Sequence, residues 1–206
     1  MKKLVLSMTS FFRPLLAGAD ESGTCGDNVT WMYSEAKQTL TIFGSGDMFN
    51  YGSGFTPFNN CSNIKKVVIE SGISSIGSNV FQNCSDLTSI TIPNSVTSIE
   101  SYAFSDCSRL TSITIPNSVT RIGNHAFSGC SGLTSITIPN SEMNIEIPGS
   151  TSLLSVTLNE EFYDYDSDIF SGETYSKGTL YVPKGTKDLY TRSCGWWNFL
   201  KIEENS

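Results

Sequence analysis

Apolar residues recur along the middle of this chain with a period much longer than a helical turn. The stretch LTSITIPNSVTSIESYAFSDCSR from Leu87 is nearly copied by LTSITIPNSVTRIGNHAFSGCSG from Leu110, and LTSITIPNS starts again at Leu133. The step is 23 residues each time, and Phe81, Phe104 and Phe127 keep it, as do Cys61, Cys84, Cys107 and Cys130. Agreement at several independent positions marks an internal repeat, which takes precedence over local propensity in deciding the fold.

Within each copy, Leu and two Ile residues end on a period of two, so one side of a short strand faces inward and the other faces water. Pro93, Pro116 and Pro139 follow directly. Proline brings no N–H to a ladder, so each strand stops there, and Asn-Ser makes the turn. Val96, Ile99 and Ala103-Phe104 are then spaced by three and by four to five, which predicts a short helical or 3₁₀ return on the convex side. The paired strand positions are Leu40/Ile42, Val67/Ile69, Ile90/Ile92, Ile113/Ile115, Ile136/Ile138, Val156/Leu158 and Leu180/Val182. They predict seven short parallel strands stacked as a solenoid, because one repeat cannot bury its own apolar face.

The ends of a solenoid expose apolar surface and strand edges and need caps. Val29 to Tyr33 and Thr39 to Phe43 read as a β-hairpin, with Trp31 or Tyr33 covering the core. Trp196, Trp197, Phe199 and Leu200 are expected to plug the other end, the alternative being an aromatic platform for sugars. The expected division is 1–19 as a secretory signal, 20–60 as N-terminal cap, 61–178 as repeats and 179–206 as C-terminal cap. The signal reading rests on basic Lys2-Lys3, apolar Leu4 to Phe12 and the small Ala17-Gly18-Ala19 site, although Arg13-Pro14 interrupts it. A frayed tail is the alternative.

These repeats and ends resemble the BspA-like, treponemal-type leucine-rich repeats of bacterial surface proteins. The segment from Gly23 to Gly46 is similar to that family's N-terminal module, and Thr179 to Phe199 to its C-terminal cap. At one position the match departs: Ser95 and Ser118 stand where most leucine-rich repeats have Asn or Cys. The resemblance implies a non-enzymatic, secreted or surface-exposed module that binds a host or matrix protein in adhesion.

Composition narrows the chemistry. The chain has 206 residues, 20 acids against 13 bases and a net charge of −7. That excludes a nucleic-acid binder, which needs a basic face. No apolar run is long enough to span a membrane, and no lipid or anchor motif follows Lys201. Only 16% of residues are charged, while 32 Ser and 20 Thr make up a quarter of the chain. Residues 84–141 hold three acids and two bases, whereas 142–206 hold eleven acids and five bases.

No constellation for catalysis stands out, and no cofactor or metal is expected. The Cys61, Cys84, Cys107 and Cys130 ladder reads as small buried apolar side chains, since parallel Cβ vectors do not suit a disulfide. Cys25 and Cys194 lie in opposite caps, too far apart to bond to each other. His125 aligns with Asn79 and Tyr102 as a surface residue without an orienting acid. Asp164, Asp166 and Asp168 resemble the start of a calcium loop, but Ile169 and Tyr175 stand where Gly and Glu are needed.

The outward strand positions are the candidate ligand surface. Thr88, Thr111 and Thr134 form one file, Ser89, Ser112 and Ser135 a second, and Thr91, Thr114 and Thr137 a third. Lys65 and Lys66 occupy the same columns one repeat earlier. These files read either as a solvated sheet face or as the concave recognition surface for a protein partner. Identical rungs carry little selectivity, so the irregular 140–178 segment is the second candidate. Glycan binding through Tyr163, Tyr165, Tyr175 and the Ser/Thr files, and a structural spacer without a ligand, are the competing readings; the chain is expected to be a monomer.

Overall fold

A computed structural model of the protein describes residues 21–58, 63–138, 155–158, 172–192 and 198–205. The signal-like segment, Cys61, Cys194, Trp196, Trp197, Tyr163, Tyr165 and the Asp164–Asp168 acids lie outside the described residues. The chain opens with β1 (Glu21–Thr24), β2 (Val29–Ser34) and β3 (Thr39–Gly44), antiparallel in sequence. This is the expected hairpin with an additional edge strand. Gly44 closes it at φ +116, where a Cβ would stand 2.1 Å from the Asn28 carbonyl, so only glycine fits.

From β3 onward the pairing is parallel. The main sheet runs through β5 (Lys66–Ile69), β7 (Ser89–Thr91), β9 (Ser112–Thr114), β11 (Ser135–Ile138), β12 (Ser155–Leu158), β13 (Thr179–Val182) and β14 (Lys201–Glu204). Its hydrogen-bond ladder divides between β7 and β9 into two five-stranded sheets. All seven predicted strands are present. An eighth rung, β14, was not anticipated: Lys201-Ile202-Glu203-Glu204 holds one apolar residue and shows no alternation to notice. Strand order follows chain order, and the registers hold equivalent repeat positions side by side, as in Val67 opposite Ile90 and Ile113 opposite Ile136.

The returns differ from the expected helices. The four returns after β3, β5, β7 and β9 run first through a narrow second sheet, β4 (Gly46–Asp47), β6 (Ile73–Ile76), β8 (Ser98–Ile99) and β10 (Arg121–Ile122). Consecutive turns follow. Asn79, Tyr102 and His125 sit at equivalent positions with φ of 56°, 58° and 57°; Asn83, Asp106 and Gly129 repeat this four residues later at 61°, 61° and 72°. A left-handed residue at every fourth position breaks any helix. It also turns alternate amides toward the next coil: Tyr102, Phe104 and Asp106 donate to the carbonyls of Asn124, Ala126 and Ser128. Each of these coils therefore has three sides, and each side bonds to its neighbours. The helices in the described residues, α1 (Gly172–Lys177) and α2 (Lys187–Tyr190), lie near the C-terminus.

The interior is a set of columns. Phe58, Phe81, Phe104 and Phe127 stack with centroids 5.7, 5.4 and 5.5 Å apart, and Trp31 closes the stack edge-on at 5.4 Å from Phe58. Trp31 and Tyr33 are both buried, so both residues cap the core. At the other end Phe199 is buried as expected and meets Tyr175 edge-on. Leu200 does not join the plug: it is 80% exposed, because β14 begins immediately after it and continues the sheet.

Ser95 and Ser118 take up the ladder role of the missing asparagines. Ser95 Oγ donates to the Ile73 carbonyl at 2.8 Å and accepts from the Gly72 N–H. Ser118 Oγ donates to the Val96 carbonyl at 2.7 Å. Two outcomes follow. Phe104→Ala, in the centre of the stack, is expected to lower stability by about 3–5 kcal/mol in urea melts. Ser95→Ala leaves two backbone groups without their partner and is expected to cost about 1–2 kcal/mol in the same assay.

Candidate binding face

The solvent side of the main sheet is assembled by register alone. Thr39, Lys66, Ser89, Ser112, Ser135, Ser155, Thr179 and Lys201 follow one another across eight rungs. Thr114, Thr137, Thr157, Tyr181 and Glu203 form the neighbouring file, which Thr41, Val68 and Thr91 supply on the N-terminal side of the ladder break. The Ser/Thr positions read from the repeat lie on this face: Thr88, Ser89, Thr91, Thr111, Ser112, Thr114 and Thr134 are exposed, and Ser135 and Thr137 half-buried. Ser155, Thr157 and Thr179 extend it on the rungs of Val156/Leu158 and Leu180/Val182.

The hydroxyls of the first file are partly committed. Thr88 Oγ1 donates to the Lys65 carbonyl at 2.9 Å and Thr134 Oγ1 to the Thr111 carbonyl at 3.0 Å. Thr97 and Thr120 do the same on the narrow sheet. A hydroxyl held in this way presents its methyl and remaining lone pair outward, so the face is less polar than its composition implies.

The N-terminal end of the face has a different character. Met32, Ser34, Lys37, Thr39, Thr41, Phe43 and Glu70 line an open groove of about 580 Å³ on the solvent side of the hairpin. The repeat gives no sign of it, because these residues precede the regular copies; exposed Met32 opposite Thr41 is visible only once the hairpin register is known.

The cysteine column is structural. Cys84, Cys107 and Cys130 are buried and unoxidised, and their thiols donate to the carbonyls of Phe58, Phe81 and Phe104 at 3.6, 3.3 and 3.1 Å. Burial pushes the Cys25 and Cys130 thiols up to about 12. Burial, then the neighbouring Cys84 and Cys130, pushes Cys107 well above its ordinary value. Thiolate is the nucleophile, so these side chains offer no reactivity. His125 is half-buried and stacks on Tyr102 with centroids 5.1 Å apart. Tyr175, considered for sugar binding, is 8% exposed beneath Phe199 and has no ring face to offer. Among the described residues, no three of His, Cys, Asp and Glu are placed to hold a metal ion, and no helix is long and apolar enough to cross a membrane.

A family described as BspA type leucine rich repeat region matches residues 54–177 in six copies. No curated protein matches the chain. Among solved structures, the chain is similar to a leucine-rich repeat protein from Eubacterium ventriosum, at 24% identity and a TM-score of 0.55, over 72% of this chain and 47% of that one. It is also similar to the pneumococcal vaccine antigen PcpA, at 22% identity and a TM-score of 0.56, over 85% of this chain and 46% of that one. The chain thus spans slightly less than half the length of either structure, and at these identities the likeness is one of fold.

The thiol column makes a testable statement. In the native protein Cys25, Cys84, Cys107 and Cys130 are expected to resist a thiol reagent at neutral pH and to react once denaturant is added. The folded values of Cys25, Cys107 and Cys130 lie above the ordinary 9.0, so the unfolded chain loses these protons first. Stability from this source is complete below pH 9 and falls as pH climbs from 9 toward 12, which denaturant melts across that range will read.

Proposed function

The chain belongs to the BspA-type leucine-rich-repeat family, and on that premise we propose that it is a non-enzymatic, secreted or surface-exposed module that binds a host or matrix protein on the solvent face of its main sheet. The observation that carries this reading is the face itself: outward positions on eight rungs, held in register on either side of the break between β7 and β9, uncharged through its centre and open at one end into a groove. Stacked repeats use such a surface because it is the one broad area that the fold does not consume internally. The family resemblance supplies adhesion as the biological context, and the signal-like pattern from Lys2 to Ala19 supports export.

Size limits how the face is used. Eight strands at about 4.8 Å and about four residues each give roughly 34 Å by 13 Å. That is about half of the roughly 800 Å² that each partner buries in a standard interface. A stable complex therefore takes in the cap hairpin or the flanking turns as well as the rungs.

Binding to a panel of purified matrix and plasma proteins tests the proposal, with the chain from Asp20 immobilised. A control carrying Thr91→Glu, Thr114→Glu and Thr137→Glu places charge on the centre of the face. The expected result is a partner retained by the parent protein and lost by the control. A partner held equally by both moves the site off this face, and a glycan array that responds where the protein panel does not replaces the protein ligand with a sugar.

A further inference from the structure

The solvent face of the main sheet is chemically uneven. On β7, β9, β11 and β12 its outward strand positions carry only Ser and Thr: Ser89/Thr91, Ser112/Thr114, Ser135/Thr137 and Ser155/Thr157. These side chains seldom act as binding hot spots. On the hairpin and β5 the face changes. Register places Met32 beside Thr41, Thr41 beside Val68, and Phe43 beside Thr30. Met32 is 49% exposed, and it forms the groove with Phe43, Thr39, Thr41, Lys37 and Glu70.

The groove also has an electrostatic direction. The Lys65 and Lys66 amides both donate to the Gln38 carbonyl, at 3.0 and 3.2 Å, which brings these exposed lysines to the edge where Lys37 stands. None of the three forms an ion pair among the described residues. Three cations thus stand together on one edge, with Glu70 inside the groove, in a chain of net charge −7.

We infer that this groove is the anchor of the binding face and that it takes an extended acidic segment of a protein partner. A large apolar side chain of that segment enters between Met32 and Phe43, and its carboxylates meet Lys37, Lys65 and Lys66. Exposed Met and aromatic side chains suit an anchor: they bury large apolar area, and the unbranched thioether adapts to what it meets. Lysines at the rim steer and orient an acidic partner. A plain polyanion does not fit as well, because Glu70 lines the groove and the floor is apolar. The inference rests on the binding reading above and gives it a place and a chemistry.

The test uses fluorescence anisotropy with a short labelled peptide in which Glu alternates with Phe and Leu, and a counterpart with Lys in place of Glu. The full chain is expected to bind the acidic peptide and not the basic one. Met32→Glu and the double variant Lys65→Glu/Lys66→Glu are each expected to weaken binding by about tenfold or more, while Lys184→Glu, the same charge change at an exposed lysine in the turn after β13, leaves it unchanged. Matching thermal melts establish that the variants fold, and Met32→Gln, which keeps length without charge, provides a milder second probe. Equal binding of both peptides, or binding of heparin as tight as that of the acidic peptide, overturns the inference. So does a loss of binding in Lys184→Glu without one in Met32→Glu. A panel partner undiminished by Met32→Glu overturns the groove and spares the wider face. Groove-dependent peptide binding with no panel partner sustains the groove and overturns the host-protein reading.

Discussion

Each coil of this protein hands its backbone N–H and C=O groups to the coil on either side, and the rest of the structure follows from that exchange. A buried amide without a partner costs as much as a lost hydrogen bond, so a coil of the wrong length would leave several at once. The 23-residue step meets this constraint. Through the regular copies, the main sheet, the narrow sheet and the turn ladder join residues 22 to 24 apart, as with Thr88 to Lys65, Gly123 to Ile99 and Phe104 to Ala126. Once that spacing is held, identical side chains must stack on one another, and the phenylalanine and cysteine columns are the consequence.

The same constraint accounts for the low charge and the wealth of hydroxyls. A position that stacks on its own kind cannot carry charge without placing like charges about 5 Å apart along the column. Ser and Thr avoid that repulsion, and they also serve the ladder: Thr88, Ser95, Thr97, Ser118, Thr120 and Thr134 each reach a carbonyl of the preceding coil. Where charges do appear at repeat positions they alternate in sign from coil to coil, as in Asp86 with Arg109 at 2.9 Å and Glu100 with Arg121. The hydroxyl files thus have a structural cause that is separate from any ligand.

This division explains what was legible in the sequence. Columns were legible because repetition shows them directly, and so was the hairpin, whose alternation is plain from Val29 to Phe43. The returns were not. Tyr102 and His125 adopt a left-handed backbone that their side chains do not favour, held there by amide bonds to neighbouring coils that no single repeat reveals; the spacing of Val96, Ile99 and Phe104 imitates a helix. Rung β14 escaped because Ile202 alone marks it, and Leu200, which looked like part of a plug, is left outside by it. The groove at Met32 escaped because a hairpin's solvent side becomes visible only with its register.

Repetition also limits what the regular rungs can recognise. A partner that binds one copy of Ser-Ile-Thr finds the next copy about 5 Å along the axis with the same groups, so the centre of the face does not define a unique position. Specificity requires a feature that occurs once. Within the described residues of this face, such features belong to the ends: Met32, Phe43 and the lysines on one side, Tyr181 and the Lys201–Glu203 pair on the other. The ends are where the chain departs from its own period in order to cap the core. The residues released from the repeat by capping are therefore the ones free to distinguish one partner from another.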